Sequence, residues 1–330
     1  MSDSLKKEIL NLSTDNKKGF NELSLRVFRH QATHNEVYNQ YLNYLSIDSS
    51  NINDLLDIPF LPIDFFKKHR ISSTDSSPEE IFTSSGTTGT NASKHELYYR
   101  EWYEKITVKL WNEKYFPLSE CVILALLPGY LERKGSSLIY MVDYFIKQSE
   151  DDRSGFFLYD HGKLFDLLNQ LKDEGKKVVL FGVTFGLLDF AENFQLNFPD
   201  LIIMETGGMK GRRKEMTRSE VHQIIKEAFG VKSVHSEYGM TELLSQAYSS
   251  GKGIFTPSST LDILVRDTND PFSWVGEGNT GGVNVIDLAN VDTCSFIETQ
   301  DLGRKFPDGK FEILGRFDNS DIRGCNLMVL

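Results

Sequence analysis

The chain has 330 residues, with 36 Lys and Arg against 47 Asp and Glu, a net charge of -11, 40% apolar residues and 25% charged residues. This is a globular composition, long enough for about two domains or one large α/β unit. A chain this acidic is a poor non-specific binder of nucleic acid or anionic membranes, so no nucleic-acid partner is expected and any polyanion must be held by a local site. The longest apolar run, Cys121 to Leu127, is far short of the roughly 20 residues of a transmembrane helix, and the opening MSDSLKKEIL lacks a secretory core. Three cysteines, Cys121, Cys294 and Cys325, without a CxxC pair exclude a disulfide framework or a zinc ribbon and fit a cytoplasmic protein.

In chain order, the first 80 residues read as a helical region. Tyr38, Tyr41, Leu42 and Leu45 fall on one helical face, and Pro62 suits the first turn of a helix over IDFFKKH. The polar stretch 71–80 reads as a loop. An α/β core is expected over 81–250. Strands are predicted at 121–127, 155–159, 178–183, 201–205 and 231–236, with helices at 138–146, around 164–171, after 183, and after Thr217. Thr217 and Glu220 make a capping box, and Gly230 is placed to end that helix. This alternation argues βαβ units and mostly parallel sheets flanked by helices. From about 251 to 330 the helical period fades into short β-like pieces separated by Gly and Asp, a small antiparallel β-rich subdomain.

Several familiar motifs are missing. No Gly-Lys pair precedes Ser or Thr, so there is no Walker A loop, and there is no HExxH or GxSxG. Gly276-x-Gly278-x-x-Gly281 matches the dinucleotide fingerprint formally, but a strand pattern follows where a helix is required, so it reads as a turn.

Three segments carry chemistry. In TSSGTTGT (83–90), Gly86 and Gly89 free the backbone to present N–H groups, while Ser84, Ser85, Thr87 and Thr88 add hydroxyls. Such a nest holds phosphate oxygens without net positive charge, although the same run also suits a flexible polar loop. In SEYGMTE (236–242), Glu242 is an oxygen ligand suited to Mg²⁺, Thr241 is a phosphate donor and Tyr238 is an aromatic face for a base. The alternative is a strand–turn–helix junction capped by Thr241 and Glu242. In TQDLGR and LGRFD, Asp301 suits a ribose diol and Arg316 suits phosphate or carboxylate, against the alternative of two β-turns with surface charges.

The order TSSGTTGT, SEYGMTE, TQDLGR, LGRFD resembles the core motifs of the adenylate-forming superfamily, which includes acyl-CoA synthetases, adenylation domains and luciferases. IPFLPIDFFKKH, ETGGMKGRRKE and RGCNLM further resemble the acyl-protein synthetases, long-chain-fatty-acid–protein ligases. The resemblance spans roughly residues 55 to 330. It implies an α/β fold like the N-terminal domain of those enzymes, with the three regions forming one adenylate-forming domain. It also implies an acid–thiol ligase that uses ATP and Mg²⁺ to convert a carboxylic acid, expected to be a fatty acid, into an acyl-adenylate, and a protein partner, a reductase or acyltransferase, that takes the acyl group. Carried over by motif, residues 84–90 close over the β- and γ-phosphates. Gly207 and Gly208 lie near adenine or the acyl entrance, Tyr238 and Gly239 lie near adenine, Thr241 contacts phosphate, Glu242 holds Mg²⁺, Asp301 binds the ribose and Arg316 sits beside it.

Two departures stand out. The family lysine three residues after the loop's last glycine is missing, and the first lysine, Lys94, comes five residues after Gly89. The chain also ends twelve residues after Asp318, where larger relatives continue into a mobile domain with a catalytic lysine. That domain is expected to be absent, and with it CoA ligation by domain rotation. In the related ligases a cysteine near the C-terminus accepts the acyl group as a thioester, which points to Cys325, with Thr241 and Glu242 as its catalytic companions. The alternative for Cys325 is a small buried hydrophobe. For the chain as a whole, a shortened acyl- or aryl-CoA ligase and a nucleotide-binding homologue without turnover compete with the acyl-protein ligase. Phe181, Phe185, Phe190 and Phe194 line an acyl pocket or, more simply, pack the core.

Overall fold

The computed structural model describes residues 2–84, 92–127, 135–207 and 216–317. Three helices open the chain, α1 (Ser2–Leu10), α2 (Lys17–His34) and α3 (Glu36–Tyr44). Tyr38 and Leu42 on α3 are buried, as their spacing predicts. A two-residue strand β1 (Leu61–Pro62) and a short helix α4 (Phe65–Lys68) follow, and then the antiparallel pair β2 (Glu80–Thr83) and β3 (Lys94–Leu97), which forms a small sheet of its own.

The βαβ region runs α5 (Arg100–Lys114), β4 (Cys121–Leu126), α6 (Ser137–Gln148), β5 (Gly155–Phe156), α7 (His161–Asp173), β6 (Lys177–Gly182), α8 (Thr184–Asn193), β7 (Ile202–Glu205), α9 (Arg218–Phe229) and β8 (His235–Tyr238). The remaining strands are β9 (Ala247–Ser249), β10 (Ile254–Thr256), β11 (Leu261–Arg266), β12 (Gly281–Asp287), β13 (Phe296–Lys305) and β14 (Phe311–Arg316).

The apolar run at β4 is continuous because both of its faces are covered. Ile123 and Ala125 join one core and Val122, Leu124 and Leu126 join another, the period-two alternation of a strand. Leu164, Leu168 and Leu171 of α7 and Val221, Ile225 and Phe229 of α9 close the second core. Helix α9 starts with the predicted capping box of Thr217 and Glu220, and Gly230 ends it in the left-handed region at φ 66°. Phe181, Phe185 and Phe190 are buried in these cores and Phe194 packs against the second, so the quartet is core packing.

Strands β5, β4, β6, β7 and β8 are parallel neighbours. The chain then reverses, and β9, β10, β14, β13, β12 and β11 extend the same sheet with antiparallel pairing. The C-terminal strands are therefore hydrogen-bonded into the main sheet, and β1 adds in parallel to the start of β13.

Three local expectations are corrected. Pro62 does not open a helix; it lies in β1 opposite Glu298, and Ile63 N–H rather than Pro62 donates to the Glu298 carbonyl. A proline has no N–H to give, which an edge strand tolerates. Only the end of 231–236 is strand, because Val231 and Val234 are apolar for core packing rather than for a ladder. No helix follows SEYGMTE; the chain turns back into β9, so Thr241 and Glu242 are not helix caps. The 276–281 glycines form the expected turn into β12.

Leu124 is fully buried. Replacing it with alanine is expected to cost about 2–5 kcal/mol, through lost transfer energy and a residual cavity. A urea unfolding midpoint unchanged from the parent would contradict this two-faced burial.

Candidate active site

The site forms where β8 meets the antiparallel strands. Residue 301 of β13 pairs with residue 316 of β14, and this register sets Asp301 beside Arg316. Arg316 Nε donates to Asp301 Oδ1 at 2.9 Å, and Tyr238 Oη from β8 donates to Asp301 Oδ2 at 2.9 Å. Asp301 is 5% exposed, whereas the Arg316 side chain is 57% exposed. Burial works against the Arg316 charge, but Asp301 more than offsets it and raises the guanidinium pKa. Each Asp301 oxygen keeps a further lone pair for a ligand hydroxyl.

The loop after β8 is pinned from three sides. Asp287, at the end of β12, accepts from Leu244 N at 2.7 Å, Ser245 N at 3.0 Å and Ala289 N at 3.0 Å, and the Ser245 hydroxyl adds another bond. Asn290 Nδ2 donates to the Glu242 carbonyl at 2.8 Å. His95, on β3, meets the Thr241 carbonyl with Nδ1 at 2.8 Å and the Thr293 hydroxyl with Nε2 at 3.1 Å. A carbonyl only accepts, so Nδ1 carries the proton and Nε2 accepts from Thr293. Burial drives the His95 pKa down to about 4, which keeps the ring neutral.

These pins aim Glu242 inward. It is 5% exposed, and burial pushes its pKa up against the hydroxyl of Ser93 and the charges of Arg316 and Lys67. A buried carboxylate with hydroxyls nearby is a donor set that a divalent cation sharing phosphate oxygens fits. Among the described residues no cluster of three or more His, Cys, Asp or Glu is arranged for a metal, so any ion there depends on oxygens from its ligand.

Two further carboxyls lie nearby with opposite behaviour. Glu205, at the end of β7, accepts from Gly207 N at 2.9 Å and from the Thr184 hydroxyl, with His222 Nε2 4.0 Å away. Burial favours its neutral form, yet His222 and Thr184 outweigh burial and lower the pKa. Glu237 is driven up to about 8, by burial first and the Glu205 charge second.

One cavity of about 990 Å³ is lined by Ser84, Gly207, Tyr238, Gly239, Thr241, Glu242, Asp301 and Arg316. Every site residue expected from sequence that the structure describes is thus brought together. Ser84 closes one wall through its paired bonds with Ser93, Ser84 N to Ser93 O at 3.1 Å and Ser93 N to Ser84 Oγ at 2.9 Å. The Tyr238 hydroxyl is committed to Asp301, and its ring contacts Phe255 and Phe311. Ser85, Gly86, Thr87, Thr88, Gly89, Gly208 and Cys325 lie outside the described residues.

Sequence reasoning missed Lys67, His95, Glu205 and Glu237. Lys67, paired with Asp64 Oδ1 at 2.6 Å, lines the cavity, whereas Lys94, on β3, is not among its lining residues. Two lysines in IDFFKKH marked a basic helix end, but nothing in the spacing indicated that it faces this cavity.

Residues 3–97 match the family described as acyl-protein synthetase, LuxE. That segment supplies α1–α4 and the β2–β3 pair, including Lys67, Ser84 and His95. No curated protein matches the chain. Among solved structures, 2-hydroxyisobutyryl-CoA ligase in the postadenylation state aligns with TM-score 0.70 at 12% identity, over 93% of this chain and 70% of that one. The open conformation of that ligase, in complex with 2-HIB-AMP and CoA, gives TM-score 0.68 at 13% identity, over 93% and 77%. ATP-bound MatB from Rhodopseudomonas palustris aligns with TM-score 0.51 at 18% identity over 72% of this chain, which spans 47% of MatB. The fold is that of the N-terminal domain of adenylate-forming enzymes.

Unfolded histidine takes up a proton near 6.5, whereas His95 and His235 are held to about 4 by burial. The folded state therefore binds fewer protons between those values. This contribution to stability is full above about pH 6.5 and is lost as the pH falls through 4. The variant His95→Gln is expected to be less stable at pH 7 and to show a shallower loss of urea midpoint from pH 6.5 to 4. Parallel curves for the two proteins would contradict the assignment.

Proposed function

We propose that the protein uses ATP to activate a carboxylic acid as an acyl-adenylate and then passes the acyl group to a cysteine thiol. The observation that carries this reading is the single cavity in which Ser84, Gly207, Tyr238, Thr241, Glu242, Asp301 and Arg316 converge. The family match over residues 3–97 supports the acyl-protein ligase form of it.

In this reading the acid's carboxylate oxygen attacks the α-phosphorus of ATP, and the bond to pyrophosphate breaks. Asp301, held by Arg316 and Tyr238, accepts hydrogen bonds from the ribose hydroxyls. Arg316 and Lys67 place positive charge beside the phosphates, and Lys67 takes the part that the resemblance gives to a loop lysine. Thr241 and Ser84 donate to phosphate oxygens, where negative charge develops, and the resemblance gives the hydroxyls of 85–90 the same part. Glu242 is the residue to hold Mg²⁺, which when bound would neutralise charge on the departing pyrophosphate. The thiolate of Cys325 then attacks the acyl carbonyl and AMP leaves, giving a thioester for a downstream acyl-accepting protein. Cys121 and Cys294 are poor rivals for this step. Both are buried, and burial pushes each thiol up to about 12, so neither supplies thiolate at neutral pH. A reducing, cytoplasmic setting suits a free catalytic thiol, and no helix among the described residues is long and apolar enough to cross a membrane.

ATP–pyrophosphate exchange measured across a panel of carboxylic acids is expected to depend on the acid. No exchange with any acid would favour a binding protein without turnover. Cys325→Ser is expected to keep exchange while intact-mass analysis loses the acyl adduct; a retained adduct would exclude this thiol. Lys67→Ala is expected to raise the KM for ATP roughly tenfold and Lys94→Ala to leave it near the parent value, the difference made by one charge-assisted phosphate contact. The reverse ranking would return the role to Lys94.

A further inference from the structure

A second cavity, of about 1220 Å³, adjoins the first and shares Glu205, Arg218, Ile313 and Leu314 with it. Its walls come from the end of α5, from α9, from the chain entering β8, from the β9–β10 turn and from β14. Six lysine and arginine side chains line it, Lys114, Arg218, Lys226, Lys232, Lys252 and Lys310, against two acids, Glu205 and Glu312. The chain as a whole has the opposite balance, 36 Lys and Arg to 47 Asp and Glu. Both acids are engaged elsewhere: Glu205 accepts from Thr184, Gly207 and Ser236, and Glu312 pairs with Arg304 at 2.7 Å. Lys310 pairs with Asp308 at 2.7 Å. Among the described residues no ion pair reaches Lys114, Lys226, Lys232 or Lys252. Arg218 is fixed between the two cavities. Its Nη1 donates to the Ile313 carbonyl at 3.1 Å, its guanidinium lies 5.9 Å from the centre of the Phe255 ring, and a Cβ at Gly253 would collide with it. Burial and the Lys310 charge both lower the Lys114 pKa, a repulsion that a bound anion relieves.

We propose that this second cavity binds a small molecule carrying two or more phosphoryl groups. The four lysines without an acid stand on four separate segments, α5, α9, the approach to β8 and the β9–β10 turn. They surround a ligand from several sides, and a ligand with more than one phosphoryl group is the kind that engages several of them. Lysine ammonium groups serve phosphate as point charges and donors. The concavity has the size of a small-molecule site rather than the flat form of a protein interface. Met216, Val234, Ile254 and Leu314 add apolar wall for the body of a phosphate ester. A net charge of -11 opposes polyanions over the rest of the surface, so this local reversal of sign is what holds one. Two sources share this chemistry: inorganic pyrophosphate, which the proposed reaction releases, and an organic bisphosphate. The four lysines lie outside the first cavity, so the site is independent of acid activation.

The test is titration calorimetry of the full chain with inorganic pyrophosphate and, separately, with fructose bisphosphate. Saturable binding of at least one probe is expected, and it should weaken as salt is raised. The paired variant Lys226→Glu, Lys232→Glu is expected to weaken that binding by about tenfold or more, through the loss of two charge-assisted contacts. The pair Lys226→Arg, Lys232→Arg keeps the charge and is expected to retain it. The pair Lys18→Glu, Lys147→Glu makes the same change in net charge at residues that line neither cavity, and is expected to leave binding near the parent value. Urea midpoints near the parent value establish that the variants fold. Binding of pyrophosphate alone assigns the inorganic source, and binding of fructose bisphosphate alone assigns an ester. Saturable binding of neither probe, equal loss in the two reversed pairs, or binding that survives reversal of Lys226 and Lys232 overturns the inference. None of these readouts needs pyrophosphate exchange, so a failure of the acid-activating reading leaves this test standing.

Discussion

A fully buried carboxylate, Asp287, is the constraint on which the geometry of the site depends. Its oxygens accept three backbone N–H groups and a serine hydroxyl, and those donors come from the loop after β8 and from the turn that follows β12. Burial alone drives its pKa up, and the bonds from Ser245, Leu244 and Ala289 oppose that shift. A buried carboxyl with these four donors ties together two segments more than forty residues apart, and removing it would leave buried N–H groups unpaired. Because Leu244 and Ser245 are held there, and because His95 and Asn290 hold the carbonyls of Thr241 and Glu242, the loop has little freedom to present its side chains elsewhere.

Around this anchor the cavity sorts its carboxyls by partner. Asp301 is matched by Arg316 and Tyr238, and Glu205 by Thr184, Gly207 and His222, whose influence lowers the Glu205 pKa. Glu242 and Glu237 are pushed toward the neutral form by burial, Glu242 against the Ser93 hydroxyl and Glu237 together with the Glu205 charge. In the proposed function Glu242 is the carboxyl of this second kind that would meet a cation sharing phosphate oxygens. The cavity's bases are Lys67, Arg218 and Arg316, and two of them are paired within the protein, Lys67 with Asp64 and Arg316 with Asp301, so the proposed nucleotide site relies on hydroxyl and backbone donors as well as on charge.

Much of the fold was legible in local pattern. The capping box at Thr217, the stop at Gly230 and the apolar runs of β4 and β6 are short-range signals, each answered by the backbone or by the two cores. Less legible were features set by distant neighbours. Pro62 borders a helical sequence, but the free edge of β13 draws it into a strand. Thr241 and Glu242 look like helix caps in sequence, but the antiparallel return into β9 leaves no helix to cap. The C-terminal strands read as a small antiparallel subdomain because their turns are local, and the link from that part to the main sheet is made by the pairing of β10 with β9 and β14.

The sequence by itself determined the alternation of strands and helices, the order of the hydroxyl, acidic and basic motifs, and the residue types able to meet a nucleotide, since these follow from side-chain chemistry and periodicity within a few neighbours. Only the tertiary structure decided that Ser84, Glu242 and Asp301 share one cavity, that Lys67 rather than Lys94 lines it, and that Glu237 stands there with its pKa driven up to about 8 by burial and by Glu205. The physical reason is that strand register, burial and the electrostatic influence of one carboxyl on another are set by contacts between residues far apart in the chain, which no local pattern encodes.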